Sequence, residues 1–496
     1  MLSKSQYVRG LQCHKALWLY KHRKELIKAP TAQQAALFET GDNVGDLACK
    51  LFPGGKLVEF DPSDFQGMID QTRQWIKDGE TIIYEAAFKQ AGVFAMADIL
   101  VKNGDRWDIY EVKASTKVKT YHLDDASVQW YALSQVLDLG RAFIVHVNSS
   151  YVRQGELEID RLFSITEITD HVLDKQPQVP ELIAEMETML QSDEPVIDIG
   201  PHCSSPHSCD FKHHCWQTIP KPSVFDLYRM NANTKFQLYH QGIVALDQIP
   251  AKQKLTPVQR LQVRCAMAPE IVVQPKKIAS FLKALQFPLH FFDFETFQEA
   301  IPRFDHQSPY QQMAFQYSLH ILHEDGRLEH KEFLGDEQTD PRYELVKQME
   351  QDILPTGTLV AFNQSFEKRI IRELAKRFPE HKAALLDIHG RFEDLIKPFR
   401  NQSYYHPDFN GSFSIKSVLP AMFPNDPELD YKQLNIQNGG MAMNTFAKLH
   451  RLKDPSQRKQ IRRDLLAYCR LDTLAMVKIY QKLDELASHG EQRNIE

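Results

Sequence analysis

No stretch of this sequence reaches the ~18–20 apolar residues that cross a bilayer as a helix, so no membrane span is expected. The opening Met1-Leu2-Ser3-Lys4 lacks an apolar signal-peptide core, which points to a soluble, cytoplasmic protein. Excess positive charge is missing too: 59 Lys and Arg face 65 Asp and Glu, a formal net charge of −6, and nothing global draws the chain to nucleic acid. That absence excludes little, because a nucleic-acid site needs a local basic lining, not a basic average. Internal repeats and low-complexity tracts are lacking, which argues against a repeat array. Cysteines are few and odd in number, seven in 496 residues, which disfavours a disulfide framework. What remains is globular composition, 43% hydrophobic and 25% charged, in a chain too long for one core. Two domains, or three, are expected.

Along the chain, Tyr7, Leu11, Leu17, Trp18 and Leu19 predict a helix over 3–27. Strands are expected at 81–88, 94–102 and 107–113, the last two joined by the turn signal Asn103-Gly104-Asp105. A helix from about Ala126 and a strand over 141–147 complete an α/β or α+β sheet domain. Residues 166–194 read as helical, and Pro220 and Pro222 mark a boundary. Short helices fill 223–270. There, Leu238 to Ile243 around Gly242 has the helix–Gly–helix look of a DNA-backbone clamp, although a plain connecting bundle is the favoured reading. A second α/β unit opens after Pro288, with strands at 290–295, 316–323, 328–334 and 358–363 and helices at 341–352, 366–378 and 459–487. The expected divisions are therefore 1–216, 217–275 and 276–496.

The first group of chemical interest is Asp98, Glu111 and Lys113. Side chains alternate along a strand, so Glu111 and Lys113 share a face, and Asp98 on the paired strand can join them. Two carboxylates suit a hard divalent ion such as Mg²⁺ or Mn²⁺, with the lysine beside an activated water. On spacing alone, an exposed hairpin ion pair is the commoner explanation. Asp98-Ile99-Leu100, then Glu111-Val112-Lys113, then Gln129 resembles the PD-(D/E)XK nucleases, in the RecB-like branch that carries an iron–sulfur cluster. The resemblance implies a restriction-endonuclease-like fold, metal ligands Asp98 and Glu111, and active-site roles for Lys113 and Gln129. Two positions depart from it. Gly45 stands where that branch often has a histidine ligand, and Leu133 where a tyrosine usually follows the glutamine, with Tyr131 nearby.

Cys49, Cys265 and Cys469 lie among apolar neighbours, as small core residues do, whereas Cys203, Cys209 and Cys215 are clustered. With the distant Cys13 they supply four thiolates, which suit a [4Fe–4S] cluster or tetrahedral zinc. Spacing does not separate the two, and His202, His207, His213 and His214 keep zinc open. The RecB-like branch has one cysteine before its nuclease core and three after it. The resemblance thus implies a [4Fe–4S] cluster on Cys13, Cys203, Cys209 and Cys215, stapling a long loop closed.

His290-Phe291-Phe292-Asp293-Phe294-Glu295 is an apolar strand with acids two apart, on one face and roughly 6.5 Å from each other along the chain. Acids in such a strand are costly to bury unless they are paired or hold metal. Tyr468 and Asp472 lie one helical turn apart, and Asn363-Gln364-Ser365-Phe366-Glu367 runs from a strand end into a helix. This triple resembles the DnaQ-like, DEDD-type 3′–5′ exonucleases of the ribonuclease H-like fold, in the subtype with tyrosine before the last aspartate. The resemblance implies Asp293, Glu295, Glu367 and Asp472 as ligands of two ions, with Tyr468 on the attacking water. Glu367 stands in place of the usual aspartate, and Asp394 is a further candidate ligand. Ser412, Ser414 and Lys416 read either as contacts to a nucleic-acid backbone or as ordinary loop. The basic residues Lys368, Arg369 and Arg372, with Arg458, Lys459, Arg462 and Arg463, read either as phosphate guides or as solvated faces.

The two resemblances cover 1–216 and 276–496 and suggest a bacterial family fusing an iron–sulfur RecB-like nuclease to a DnaQ-like exonuclease. The expectation is an α/β protein acting as a metal-dependent nuclease with two sites. DNA is favoured over RNA as its partner, and a role in DNA repair or in defence is expected. The rival expectation is a nucleic-acid-binding or scaffold protein with one site, the PD-(D/E)XK site first, or both inactive.

Overall fold

Leu2 is fully buried and pairs with Val93, so the short strand β1 (Leu2–Ser3) ties the chain into a sheet at once. Ser3 then caps the helix α1 (Lys4–Gln12). Its hydroxyl accepts from the Gln6 N–H while the Gln6 side chain returns to the Ser3 N–H, a reciprocal capping box. The single helix expected over 3–27 is two, because Cys13 is extended (φ −167°) between α1 and α2 (His14–His22). The structure is a computed structural model that describes residues 1–492. It divides into two units: Met1–Thr218 with Glu299–Gln311, and Ile219–Gln298 with the chain from Gln312 onward. The 217–275 region thus falls almost wholly inside the second unit, and a short stretch beyond 298 is part of the first.

In unit 1, helix α3 (Ala32–Ala48) and strand β2 (Lys56–Leu57) precede α4 (Phe65–Lys77). Then come β3 (Ile82–Gln90), β4 (Val93–Asn103) and β5 (Arg106–Lys113), an antiparallel meander. Gly104, with φ 63°, and Asp105 make the two-residue turn between β4 and β5, where Asn103-Gly104-Asp105 predicted one. Helix α5 (Thr120–Leu133) carries the chain across to β6 (Leu139–Val147), which runs parallel to β5, and β7 (Phe163–Glu167) closes the edge. The sheet order is β2-β3-β4-β5-β6-β7, with β1 on β4. Leu2, Ile83, Ala97, Val128 and Ile144 are among its core residues.

In unit 2, residues 219–268 form a small helical region with its own core of Val224, Leu227, Leu238 and Leu246. The Gly242 turn (φ 77°) leads into a β-bridge at Ala245 and a 3₁₀ turn, not a second helix. Strand β8 (Val272–Val273) follows, then β9 (Leu289–Phe297), β10 (Met313–Leu322) and β11 (Leu328–Leu334). Next are β12 (Leu359–Ala361), helix α6 (Ser365–Arg377), β13 (Phe392–Asp394) and β14 (Tyr404–Tyr405). The five-stranded order is β11-β10-β9-β12-β13; β8 and β14 pair separately. β9 is antiparallel to β10, and β12 runs parallel to β9 and β13. Three helices end the chain: α7 (Ile415–Met422), α8 (Gly439–Leu449) and α9 (Pro455–Gln492).

Both faces of β9 are covered, and eight of its nine residues are buried although His290, Asp293, Glu295 and Thr296 interrupt its apolar run. Phe292 and Phe294 pack with Leu345, Ile370 and Leu385 on one side. The alternate residues turn the other way: Phe291 meets Tyr480 of α9 and Phe297 meets Phe446 of α8, at ring separations of 5.7 and 5.3 Å. Asp293 and Glu295 belong by parity to this second set, so the strand's period of two aims both acids at the C-terminal helices. Among the described residues, no helix is long and apolar enough to cross a membrane.

Candidate metal centre and the second acidic pocket

Asp293 and Glu295 of β9 meet Asp472 of α9, each offering a carboxylate oxygen within 4.8 Å of the others. Among the described residues this is the one such group of three or more His, Cys, Asp or Glu ligand atoms. Burial pushes all three carboxyls up, and the neighbouring acids push Asp293 and Glu295 further. The helix α9 is held to the sheet by a polar seam: Gln316 Nε2 donates to Leu465 O (2.9 Å), and the Thr473 hydroxyl meets Ser318 (2.7 Å) and His320 (2.8 Å). That seam fixes where Asp472 stands.

A cavity of about 350 Å³ opens at the acids, lined also by Phe362, Phe366, Lys416, Met443 and Tyr468. The Tyr431 hydroxyl donates to Asp472 Oδ1 at 2.5 Å. The Lys416 ammonium donates to the Tyr468 oxygen at 3.2 Å and to Gln437 O at 2.8 Å, and lies over both phenol rings at 4.9 and 5.0 Å. Burial first, and then the acids, drive both phenols up, so each stays a donor. Tyr431 has no signal in the sequence, since it sits in an irregular loop away from the motifs. Of the serines grouped with Lys416, Ser412 and Ser414 bond to each other in a local turn, and neither lines the cavity.

Glu367 and Asp394 lie outside the 4.8 Å group, although the Glu367 charge helps push the Asp293 and Glu295 carboxyls up. Glu367, near the start of α6, is buried with Oε2 unpartnered, and burial lifts its carboxyl to about 8. Asp394 Oδ1 instead accepts the N–H groups of Asn363 (2.8 Å) and Ile396 (3.2 Å), a cap on the turn after β12. Of the basic residues near α9, Arg458 and Arg462 are drawn to Glu337 and so have a structural task.

In unit 1, Asp98, Glu111, Lys113 and Gln129 do come together. Gln129 Nε2 donates to Glu111 Oε2 (2.9 Å), Lys113 Nζ to Glu111 Oε1 (2.6 Å), and the Val112 N–H to Asp98 Oδ2 (2.6 Å). Three residues that the motif does not contain join them. Asp125 of α5 pairs with Lys113 at 2.5 Å, and Lys4 pairs with Glu111 at 2.8 Å. Glu85 lies between Tyr84 and Ala86, which pair with Ile99 and Ala97 on either side of Asp98, and its left-handed φ of 53° breaks the β3–β4 pairing there. Burial, then Asp98, raises Glu85 to about 8, and burial, then Glu111, raises Asp98 to about 6. Burial alone would raise Glu111 as well, but the Lys113 and Lys4 ammoniums outweigh it and hold that carboxyl far below its usual range. A side chain built on Gly41 or Gly45 of α3 would meet open space.

Cys13, Cys203, Cys209 and Cys215 line one small cavity, with Ala16, Leu19 and Phe211 as an apolar backing. The extended conformation at Cys13 is what turns α2 away from α1 beside the other three. Gln12 Nε2 ties the two segments, donating to His202 O (2.7 Å) and His207 O (2.8 Å). Burial raises the Cys13, Cys209 and Cys215 thiols, Cys209 to about 11.

Residues 290–414 match the family described as a domain of unknown function, DUF2779, a stretch that holds Asp293, Glu295, Glu367 and Asp394. An uncharacterized protein of Ureaplasma parvum is 25% identical over 227 residues, covering 41% of this chain and 32% of its own length. An uncharacterized protein of Mycoplasma genitalium is 26% identical over 219 residues, covering 40% and 32%. The chain thus spans about a third of the length of the curated relatives it matches, and both of these are described as uncharacterized.

Proposed function

We propose that the protein is a metal-dependent nuclease that hydrolyses phosphodiester bonds, with its working centre at Asp293, Glu295 and Asp472. The observation that carries this reading is the meeting of three carboxylates within 4.8 Å, two buried and one half-buried, at a cavity that is also lined by the Lys416 ammonium and the Tyr468 phenol. Acids so crowded repel one another and lose hydration, and a divalent ion relieves both penalties, so the residues present fit Mg²⁺ or Mn²⁺. Asp293, Glu295 and Asp472 would hold the metal, with the unpartnered Glu367 oxygen in reserve. Bound metal would supply Lewis acidity toward the phosphodiester and lower the pKa of its water.

The chain's own groups supply the rest. Lys416, by donating to the Tyr468 oxygen, leaves the Tyr468 proton free to face Asp472 and the cavity. Tyr431 orients Asp472, and the Lys416 ammonium offers a positive charge to a phosphate entering the cavity. The antiparallel β9-β10-β11 with parallel β12 and β13, and acids gathered from β9 and α9, support a ribonuclease H-like, DEDD-type reading of unit 2. The β3-β4-β5 meander with the parallel β6 supports a PD-(D/E)XK reading of unit 1. DNA is favoured over RNA as substrate, with degradation from the 3′ end, in repair or defence. The four thiols around one cavity support a metal centre there, [4Fe–4S] in first place and zinc as the alternative. Anaerobic visible absorption with iron, sulfide and zinc analysis separates the two.

The test uses purified protein, Mg²⁺ or Mn²⁺, and DNA and RNA strands labelled at either end. Metal-dependent shortening from the 3′ end is expected, lost in Asp293→Ala and kept in Lys113→Ala. No product from any strand, or product indifferent to Asp293→Ala, removes the reading. A second reading, that unit 1 binds without cutting, is favoured by the two ammonium groups among its acids.

A further inference from the structure

Unit 1 gathers the acids of a divalent-metal site, yet the residues present do not fit a divalent ion as they stand. Lys4 is the first residue of α1, and its backbone is fixed on every side. Leu2 is buried in the sheet, Ser3 caps the helix, and Tyr7 is buried one turn further on. A lysine held this way is no freely swinging surface side chain. Its ammonium lies 2.8 Å from Glu111 Oε1, 3.9 Å from Asp98 Oδ1 and 3.9 Å from Asp125 Oδ2. Lys113 reaches the same Glu111 oxygen at 2.6 Å and the same Asp125 oxygen at 2.5 Å. The remaining Glu111 oxygen takes the Gln129 amide, and the remaining Asp98 oxygen takes the Val112 N–H. Two ammonium charges therefore stand against Asp98, Glu111 and Asp125, with Glu85 a fourth acid beside Asp98, and the oxygens that a hard cation would need are already engaged.

We propose that Lys4 is the resident cation of this pocket: its ammonium takes the position between Asp98 and Glu111 that a divalent ion needs, and closes unit 1 to divalent metal. Ammonium and metal exclude each other because both require Glu111 Oε1 and Asp98 Oδ1. The pocket then serves unit 1 as a half-buried charge network, centred on the buried Glu111 and joining α1, β4, β5 and α5. Nothing in this depends on unit 2 being an enzyme.

The test counts Mn²⁺ ions bound to the full chain by electron paramagnetic resonance, in a background of Asp293→Asn with Asp472→Asn. Those changes remove the unit 2 ligands and relieve repulsion among crowded acids, so the background folds. Mn²⁺ is a hard ion and competes poorly for the thiols. With Lys4 intact, no ion tighter than about 1 mM that depends on Glu111 is expected. Lys4→Met gains one ion, bound at least about tenfold more tightly and lost again on Glu111→Gln, whereas Lys4→Arg keeps the pocket closed. A Glu111-dependent ion in the Lys4-intact protein overturns the proposal, and so does a folded Lys4→Met protein that gains none. Should Lys4→Met fail to fold, the Lys4-intact measurement decides alone.

Discussion

Lys416 touches the Tyr468 oxygen and overlies two phenols, so its charge is spent where negative charge would gather on a phosphate. Lys416→Met is expected to lower kcat on labelled single-stranded DNA by on the order of 10–100-fold while moving KM less, with Lys416→Arg in between. Equal losses in Lys416→Met and Lys416→Arg would assign the residue a packing role instead. A second residue carries a pH signature. Burial and Asp98 raise the Glu85 carboxyl from the ordinary 4.5 to about 8. Between those values the unfolded chain has released its proton and the folded chain keeps it, so folding loses stability as pH rises through that window. Glu85→Gln abolishes the loss, and its unfolding free energy should overtake the wild type's as pH climbs from 5 to 8, by about 2–4 kcal/mol at the upper end.

At the scale of elements, local patterns were readable and long-range pairings were not. Acids two apart on β9, a tyrosine and an acid one turn apart on α9, and the turn at Gly104 are all set by backbone periods of 2 and 3.6 or by one residue's φ. The break at Cys13 escaped because Leu11, Leu17, Trp18 and Leu19 keep a helical rhythm across it. The rhythm reports which side is apolar, not whether the axis bends. Lys4 escaped for a different cause: it reaches Glu111 across 107 residues of sequence, and only the capped start of α1 aims it there. That cap is separately testable. Ser3→Ala removes one half of the capping box and is expected to cost about 1 kcal/mol in urea unfolding of unit 1, with Ser3→Asp recovering most of it.

Over the whole molecule, sequence order and compact units disagree where it matters for reading function. Residues 299–311 lie between β9 and β10, both strands of unit 2, yet they pack in unit 1, where the Tyr310 hydroxyl bonds Ala114 O beyond the end of β5. No composition shift announces such an excursion, because its residues are chosen by a surface built two hundred positions earlier. The two acidic pockets also solve one physical problem in opposite ways. Unit 1 balances the buried Glu111 and the half-buried Asp98 and Asp125 with its own ammoniums, whereas Lys416 beside the triad of unit 2 is bonded to Tyr468 and not to an acid. A centre left short of positive charge should destabilise the metal-free fold. In EDTA, Asp293→Asn is therefore expected to raise unfolding free energy by about 1–2 kcal/mol while abolishing hydrolysis. Mn²⁺ at a hundred times its dissociation constant should restore the balance, stabilising the wild type by about 2.7 kcal/mol and Asp293→Asn far less. A wild type already as stable as Asp293→Asn in EDTA, and indifferent to Mn²⁺, would mean that the triad shares its protons and holds no ion.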